Sequence, residues 1–553
     1  MRYSLIGVLG VVAMFAACSQ SASGSADDDS EIATESSSSI KGKSSSSKDS
    51  EKKSSSSEKK TESSSSNNSV DEKLSSSSAF EELEEDCVGE PGNPWDGTTA
   101  KDFACGAGTK LSPYIILTAE QLAKLSFVIN ASDKDYMGKY FKLGADIKLN
   151  KGDIIDEKGA LVGDSTKLHK WTPIGNSSVA FDGSFDGDDH TVSGMFINTT
   201  SNNNGLFGNT SGTIRNVTLD NSWVYGGKYT GGVIGYNVGT VENVTNFASV
   251  SGVEDCIGGV LGSSNQRKYQ YNSILKKLKN SGVVVGKKNV GGVSGCAAYV
   301  NVDGAENTAP IEGYGYVGGV FGGIGNTTKN DVKDMRNSGK ITGYHFVGGI
   351  SGHCGGTSLS INTYQETSSY YCSDATSWSC GKFMRAVNVA AVSGKYYVGG
   401  ILGVACGGSI SELSNTGNVN GVYGTAGVVS SSAFVTSKNM YNKGNVFGEL
   451  YAGGIFSYNK EGVTNSAFST GKVDGDSLVG LMIGYNYNST MADYYYLKQG
   501  EQEPFGLNNG GGVATPKSAD EMKSEEFAEL LGDDFVYDSG LNDGYPVLNW
   551  EKE

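Results

Sequence analysis

The sequence predicts an all-β fold, a parallel β-helix-like solenoid of about ten 27-residue coils with short capping helices and a disordered N-terminal linker. Three observations predict it. A Gly-Gly-apolar-apolar-Gly motif, typified by Gly231 to Gly235, recurs down the chain. Its second glycines or their equivalents are Gly205, Gly232, Gly259, Gly292, Gly319, Gly349, Gly400, Gly427, Gly454 and Leu481. Six of the nine intervals are 27 residues and the exceptions, 33, 30 and 51, are all longer, as insertions into a fixed-period coil would be. Glycine is abundant and proline scarce, at 79 and 8 of 553 residues, which suits many tight turns between short strands.

Residues 1–17 read as an export signal: a weakly basic Met1-Arg2-Tyr3, then an apolar run over residues 5–16. That run is too short for the roughly 20 residues of a membrane-crossing helix. The junction Phe15-Ala16-Ala17-Cys18 resembles the lipobox of bacterial lipoproteins, which implies lipidation of Cys18. A plain secretory signal cleaved near Ala17, leaving Cys18 an ordinary thiol, is the alternative. Ser19 stands where an inner-membrane retention signal would have Asp, so the resemblance implies a lipid anchor at the bacterial outer membrane, surface-exposed or facing the periplasm.

Residues 18–85 form a serine-rich tether. Four-serine blocks at 36–39, 44–47, 54–57, 63–66 and 75–78 alternate with charged residues and leave almost nothing apolar to bury, so disorder is expected. A flexible chain of this length spans roughly 45 Å. Such blocks resemble the linkers of proteins secreted by fibre-degrading gut bacteria, and their hydroxyls could carry O-linked sugars.

Residues 86–204 are assigned to an N-terminal cap and the first coils. Thr118-Ala119-Glu120-Gln121 is a capping-box pattern opening a helix through Val128, with Leu122, Leu125 and Phe127 available to cover the first rung. Residues 205–495 carry the repeat. Each coil runs from the glycine pair through a polar turn to a segment like Val241-Glu242-Asn243-Val244-Thr245-Asn246, then to one like Ala248-Ser249-Val250-Ser251-Gly252. These alternations predict three short strands per coil. Residues 496–553 are expected to cap the far end, with a helix from Ser518-Ala519-Asp520-Glu521 to Gly532 and a final apolar strand in Gly544-Tyr545-Pro546-Val547-Leu548-Asn549-Trp550.

The glycine-apolar-apolar-glycine cores, Gly205-Leu206-Phe207-Gly208 and Gly232-Val233-Ile234-Gly235, resemble the GLUG repeat of bacterial cell-surface proteins. Trp171-Thr172-Pro173-Ile174-Gly175 and Phe181-Asp182-Gly183 are similar to the cap of such proteins, and the resemblance covers roughly residues 106 to 490. It implies a presentation or adhesion scaffold and says almost nothing about ligand.

The formal net charge of −17 and the lack of a basic stripe beyond Lys276-Lys277-Leu278-Lys279 exclude nucleic acid as a partner. Of nine cysteines, eight remain once Cys18 is set aside, and export favours their oxidation. Cys354 and Cys406 lie five and six residues after their second glycines, almost in register, which predicts a disulfide between coils. Cys372 and Cys380 are then expected to close the long insertion on itself, and Cys87 with Cys105 to pin the segment before the cap. Cys256 and Cys296 are the remaining pair, seven residues apart in rung position.

Tyr229, Tyr316, Phe346, Tyr397 and Tyr451 share one rung position, three residues before the second glycine, and form either a buried stacking ladder or an exposed platform for sugars. Asp182, Asp186, Asp188 and Asp189 read as turn chemistry, with calcium binding as the alternative. His169, His190, His345 and His353 have no metal-ligand spacing, and no metal or other cofactor is expected. No His-Glu-x-x-His, Gly-x-Ser-x-Gly or phosphate-loop motif occurs, so no catalytic residue is assigned. The expected function is a monomeric, surface-displayed binding or adhesion lipoprotein, with polysaccharide as the plausible ligand. Its rivals are a polysaccharide lyase or hydrolase on the same fold and a structural spacer. Tyr364, Tyr370, Tyr371 and Trp378, in the 51-residue interval, are the candidate recognition patch; a tolerated, disulfide-closed loop is the other reading.

Overall fold

The computed structural model describes residues 87–265, 273–325, 331–355, 372 and 379–552. One repeat is one coil. Thr240–Asn246 leads to Ser249–Gly252, then Asp255–Gly258, then Leu261–Ser264, and the chain re-enters over its own start at Ser273–Asn280. There Val241 lies opposite Leu275, and Val244 opposite Leu278. Four parallel sheets result, a long-strand sheet of 16 strands and three shorter ones of 10, 9 and 11 in chain order around the coil, so every rung is hydrogen-bonded to the rungs above and below. Gly231, Gly258, Gly291, Gly318, Gly348, Gly399, Gly453 and Gly480 fall in one register column, with Ala426 filling the gap.

The coil carries four strands where three are expected. The additional one precedes the glycine pair, as in Asp255–Gly258 and Tyr396–Gly399, and its second residue has positive φ in coil after coil. That left-handed residue interrupts the apolar alternation, so the segment reads as turn in the sequence. The three longer intervals all insert at the same corner, between Ser264 and Ser273, Gly325 and Asp331, and Cys354 and Lys382. An uninterrupted coil crosses that corner from Asn237 to Thr240.

Close packing explains each glycine of the motif. A Cβ on the first, Gly399, would meet the Leu402 carbonyl oxygen at 2.0 Å. On the second, Gly400, it would meet the Gly427 oxygen at 2.0 Å and Asn415 Cγ at 2.4 Å. On the last, Gly403, it would meet the Gly352 oxygen at 2.4 Å and the Phe346 backbone at 2.9 Å. The intervening aliphatic residues, such as Ile401 and Leu402, are fully buried, and each contributes roughly 2 kcal/mol on leaving water.

The partners of the second glycines form a buried asparagine ladder. Asn246, Asn280, Asn307, Asn337, Asn388, Asn415 and Asn442 stack on successive coils, each Nδ2 donating to the next Oδ1 at 2.7–2.9 Å. Each Nδ2 also donates to the carbonyl two residues on, as Asn388 does to Ala390 at 2.8 Å. Only glycine opposite leaves room for these amides, so motif and ladder are one packing device, fourteen or fifteen residues apart in an uninterrupted coil.

At the first rung, helix Ala119–Asn130 has the expected capping box between Thr118 and Gln121. Leu122, Leu125, Val128 and Ile129 are buried by it, whereas Phe127 is 66% exposed, because the helix turns the Val128 and Ile129 face inward. At the far end, Phe505–Asn509 and Ala514–Lys517 add to the last coil. The following helices, Ala519–Met522 and Glu525–Leu531, do not lie across that end as expected. They pack sideways on the long sheet, where Val387, Tyr441, Phe468 and Tyr495 form an outward apolar column that meets Met522, Phe527, Leu531, Phe535, Leu548 and Trp550. The outer face of the long sheet is apolar there, and covering it takes those side chains out of water.

Candidate functional site

The cysteines staple the solenoid at the corners, in two cases with partners other than those expected. Cys87–Cys105 and Cys256–Cys296 form, with Cα separations of 4.9 and 5.1 Å. The second joins a corner residue to the following coil, because the left-handed turn at Cys256 (φ 64°) folds its strand toward Ser294–Ala298. The expected Cys354–Cys406 and Cys372–Cys380 pairs are instead Cys354–Cys380 and Cys372–Cys406, with Cα separations of 5.0 and 5.7 Å. Cys354 is register partner to Ala405, one residue short of Cys406. One residue along a strand reverses the face, so Cys354 points into the main core while Cys406 points out among Tyr316, Phe346 and Tyr397.

The acidic residues of the first coils act at turns and in ion pairs. Asp188 and Asp189 adopt φ of 49° and 62°. Asp182 accepts from the Gly138 amide at 2.8 Å, Asp186 pairs with Arg215 at 2.7 Å, and Asp188 pairs with Lys142 at 2.9 Å. Among the described residues, Asp255, Cys256 and Cys296 bring potential metal-ligand atoms together, but both sulfurs are already in a disulfide. Cys18, Tyr364, Tyr370, Tyr371 and Trp378 lie outside the described residues.

The aromatic column resolves into two parts. Tyr316, Phe346 and Tyr397, all left-handed at φ 52–55°, are buried and lie face to face, with centroids 4.8 and 5.2 Å apart and planes within 13°. Beside them Tyr314 stacks on Tyr344 at 5.0 Å and His345 on Tyr396 at 4.8 Å, while Lys395 Nζ lies 5.3 Å over the Tyr344 ring. Burial, then Lys395, holds the His345 imidazole below its usual range. In both stacks, coil-to-coil packing covers much of each ring face.

Further along, the arrangement changes. Tyr423 meets Tyr451 at 5.3 Å and 73°, Tyr458 meets Tyr485 at 5.4 Å and 63°, and Tyr485 meets Tyr487 at 6.2 Å and 79°. These rings are half-buried, and within the same cluster Tyr451 lies nearly parallel to Tyr485 at 6.3 Å and 17°. Tyr458 and Tyr485 occupy one outward column, in register on adjacent strands Phe456–Lys460 and Ile483–Tyr487. Burial, then Tyr485, Tyr487, Glu461 and Tyr451, pushes the Tyr458 hydroxyl up to about 12, so it stays a neutral donor and acceptor. Asn509 donates to the Tyr485 hydroxyl at 3.2 Å. The cluster was missed because only Tyr451 lies in the column picked out by the repeat; Tyr458, Tyr485 and Tyr487 lie on the strand after it.

A second polar constellation runs along the long sheet. Asp334 and Arg385 are left-handed and pair at 2.9 Å, and Lys333 bridges Asp303 at 3.2 Å and Asp334 at 3.7 Å. Burial raises the carboxyls of Asp334 and, on the coil after that of Arg385, Glu412.

The fold is that of a disulfide-stapled parallel β-solenoid. No family model matches the chain. It is 34% identical over 186 residues to Halomucin of Haloquadratum walsbyi, a match covering 32% of this chain and 2% of that protein. It is 32% identical over 151 residues to a protein of Evansella cellulosilytica named as a Gly-rich membrane protein, covering 26% and 15%. The chain thus spans a small fraction of the relatives it matches. A crystal structure of a candidate immunoglobulin A1 protease from Bacteroides ovatus aligns over 82% of this chain and 98% of its own, at 17% identity and a TM-score of 0.29. Among the described residues no helix is long and apolar enough to cross a membrane.

Proposed function

We propose that the protein is a surface-displayed binding module, a lipoprotein of the GLUG-repeat type anchored through Cys18 at the outer membrane, whose solenoid recognises polysaccharide. The observation that carries this reading is the cluster of half-buried tyrosines at Tyr451, Tyr458, Tyr485 and Tyr487, whose partly exposed rings sit on a rigid scaffold. Sugar C–H groups pack on tyrosine ring faces because the ring quadrupole is negative there. A β-solenoid fixes these rings on hydrogen-bonded strands, so little conformational freedom is lost when a ligand docks. The test is retention of residues 86–553 on a panel of insoluble polysaccharides; passage through every one contradicts the reading. Fractionation of cells expressing the full chain and Cys18→Ala tests the anchor: loss of membrane association only in the variant supports lipidation.

A second reading, a lyase or hydrolase, draws on Asp334, Arg385 and Glu412, whose carboxyls are raised beside a guanidinium. Raised carboxyls suit proton transfer, but structural ion-pair networks raise them as well. Release of soluble sugar from a polymer, abolished by Glu412→Gln, selects this reading; no release from any polymer rejects it.

A further inference from the structure

We infer that a chain of touching tyrosines carries oxidising equivalents along the solenoid to Tyr458 and Tyr485, where they join the two rings in a dityrosine crosslink between neighbouring coils. The rings of Tyr344, Tyr396, Tyr423, Tyr451, Tyr485 and Tyr458 follow one another at centroid separations of 5.7, 6.4, 5.3, 6.3 and 5.4 Å. The first four lie on or directly before successive strands of one sheet, and the last two lie on the sheet after the next corner. The coil repeat imposes this order, because it sets the strands about 4.8 Å apart. Electron transfer falls off steeply with the gap between donor and acceptor, so rings in contact exchange an electron far faster than separated ones do. A phenol is among the most easily oxidised side chains, and every step here runs from phenol to phenol.

Charge and register select the end of the chain. Lys395 Nζ lies 5.3 Å over the Tyr344 ring and 5.0 Å over the Tyr396 ring, and a cation there opposes the loss of an electron. The Glu461 carboxylate acts on Tyr458 with the opposite sign, offset in part by Lys460 at 3.8 Å from it. Tyr458 and Tyr485 are register partners on adjacent strands, so the backbone holds the two rings as neighbours. Burial pushes the Tyr458 hydroxyl up to about 12, so the phenol starts protonated and its proton leaves with the electron. Both rings are half-buried, within reach of water. Two phenols give two electrons to an external one-electron oxidant and two protons to water. The two radicals then form a carbon–carbon bond between ring positions next to the hydroxyls, and the hydrogens displaced from those carbons return to the oxygens.

The experiment uses the purified full chain and a ruthenium tris-bipyridyl complex that light and persulfate turn into a one-electron oxidant. With the complex free in solution, dityrosine fluorescence is expected in the uncrosslinked-mass monomer band, and fragmentation of the joined peptides is expected to place the bond between Tyr458 and Tyr485. Tyr458→Phe and Tyr485→Phe keep the ring and remove the phenol; each is expected to lower that product at least tenfold with an unchanged circular dichroism spectrum. The chain is tested with the complex attached to the one free thiol of a Lys340→Cys, Cys18→Ala protein, close in sequence to Tyr344. There Tyr423→Phe, which touches neither crosslinked residue in sequence, is expected to lower the product at least fivefold, and with the free complex less than twofold. Crosslinks only between other tyrosines, or none in the folded protein, overturn the crosslink. No product from the attached complex in the protein with Tyr423, or a loss in Tyr423→Phe that is the same for attached and free complex, overturns the chain.

Discussion

Asn337 donates its side-chain amide to Asn388 at 2.7 Å across 51 residues of sequence, the same contact that Asn388 makes to Asn415 across 27. The long insertion therefore leaves the interior unbroken. Replacing Asn388 with Ala removes the acceptor of Asn337 and the donor to Asn415, and each buried orphan costs about 1–3 kcal/mol. Urea unfolding is expected to show that loss at an unchanged m-value. Ser469→Asn has the opposite sign: Ser469 ends the ladder with its hydroxyl unpartnered, and an amide there gives Asn442 its missing neighbour, a gain of about 1 kcal/mol.

Glycines of the motif and glycines outside it respond differently to one methyl group. Gly400→Ala places a Cβ 2.0 Å from a backbone oxygen that the next rung holds in place, and overpacking of this kind costs about 1–3 kcal/mol. Gly511→Ala meets nothing within 4 Å and is expected to leave thermal stability within measurement error. Differential scanning fluorimetry of the two variants checks the contrast.

The pairing of sulfurs is open to chemical mapping. Non-reducing digestion is expected to yield peptides joining Cys354 to Cys380 and Cys372 to Cys406. In Cys406→Ser the free thiol is expected at Cys372, and alkylation before digestion locates it. A free thiol at Cys354 would support the pairing that rung position alone suggests.

His353 makes stability depend on pH. Its Nδ1 is buried without a partner, the ring lies edge-on to Tyr316 at 4.8 Å, and burial, then Lys288, depresses its pKa from 6.5 to about 4. The unfolded chain takes up the proton first as pH falls, so stability declines from about pH 6.5 to about pH 4 and levels off below. The full shift corresponds to at most about 3–4 kcal/mol, an upper bound because the residue as a whole is only half-buried. Glu551, whose buried carboxyl is raised, works in the opposite direction, so the comparison is between the parent and His353→Gln, in which this part of the slope is absent.

The coil period and the glycine columns were legible in the sequence because they depend on spacing along a repeat, the first capping helix because its capping box is a local pattern, and the Cys87–Cys105 and Cys256–Cys296 disulfides only as the pairs left over from the others. Features that depend on side-chain direction were not. Cys354 and Cys406 differ by one residue in rung position, which is invisible as a distance but reverses the face. Val387, Tyr441, Phe468 and Tyr495 sit in long-sheet strands whose left-handed residues, Arg385, Asn439, Ser466 and Asp493, shift the alternation, so their outward direction was hidden and the C-terminal segment was placed on the end. The asparagine ladder had a signal, an Asn closing each long segment two positions before a Gly or Ala, but its partner glycine lies fourteen or fifteen positions earlier in an uninterrupted coil and is adjacent only once the coil closes. The tyrosine cluster depends on interplanar angles, which no spacing encodes.

Stacking of one 27-residue unit directly on the next is tested most directly by engineered cysteine pairs on the outer face of the long sheet. Lys438 and Asn465 are register partners on adjacent coils, and Asn465 is partner to Ala492 on the coil beyond. All three are exposed. Neighbouring coils lie about 4.8 Å apart, within disulfide reach, and alternate coils about 10 Å apart, beyond it. Oxidation is expected to crosslink Lys438→Cys with Asn465→Cys and to leave Lys438→Cys with Ala492→Cys reduced; the reverse pattern, or crosslinking of neither pair in the folded protein, would contradict the coil.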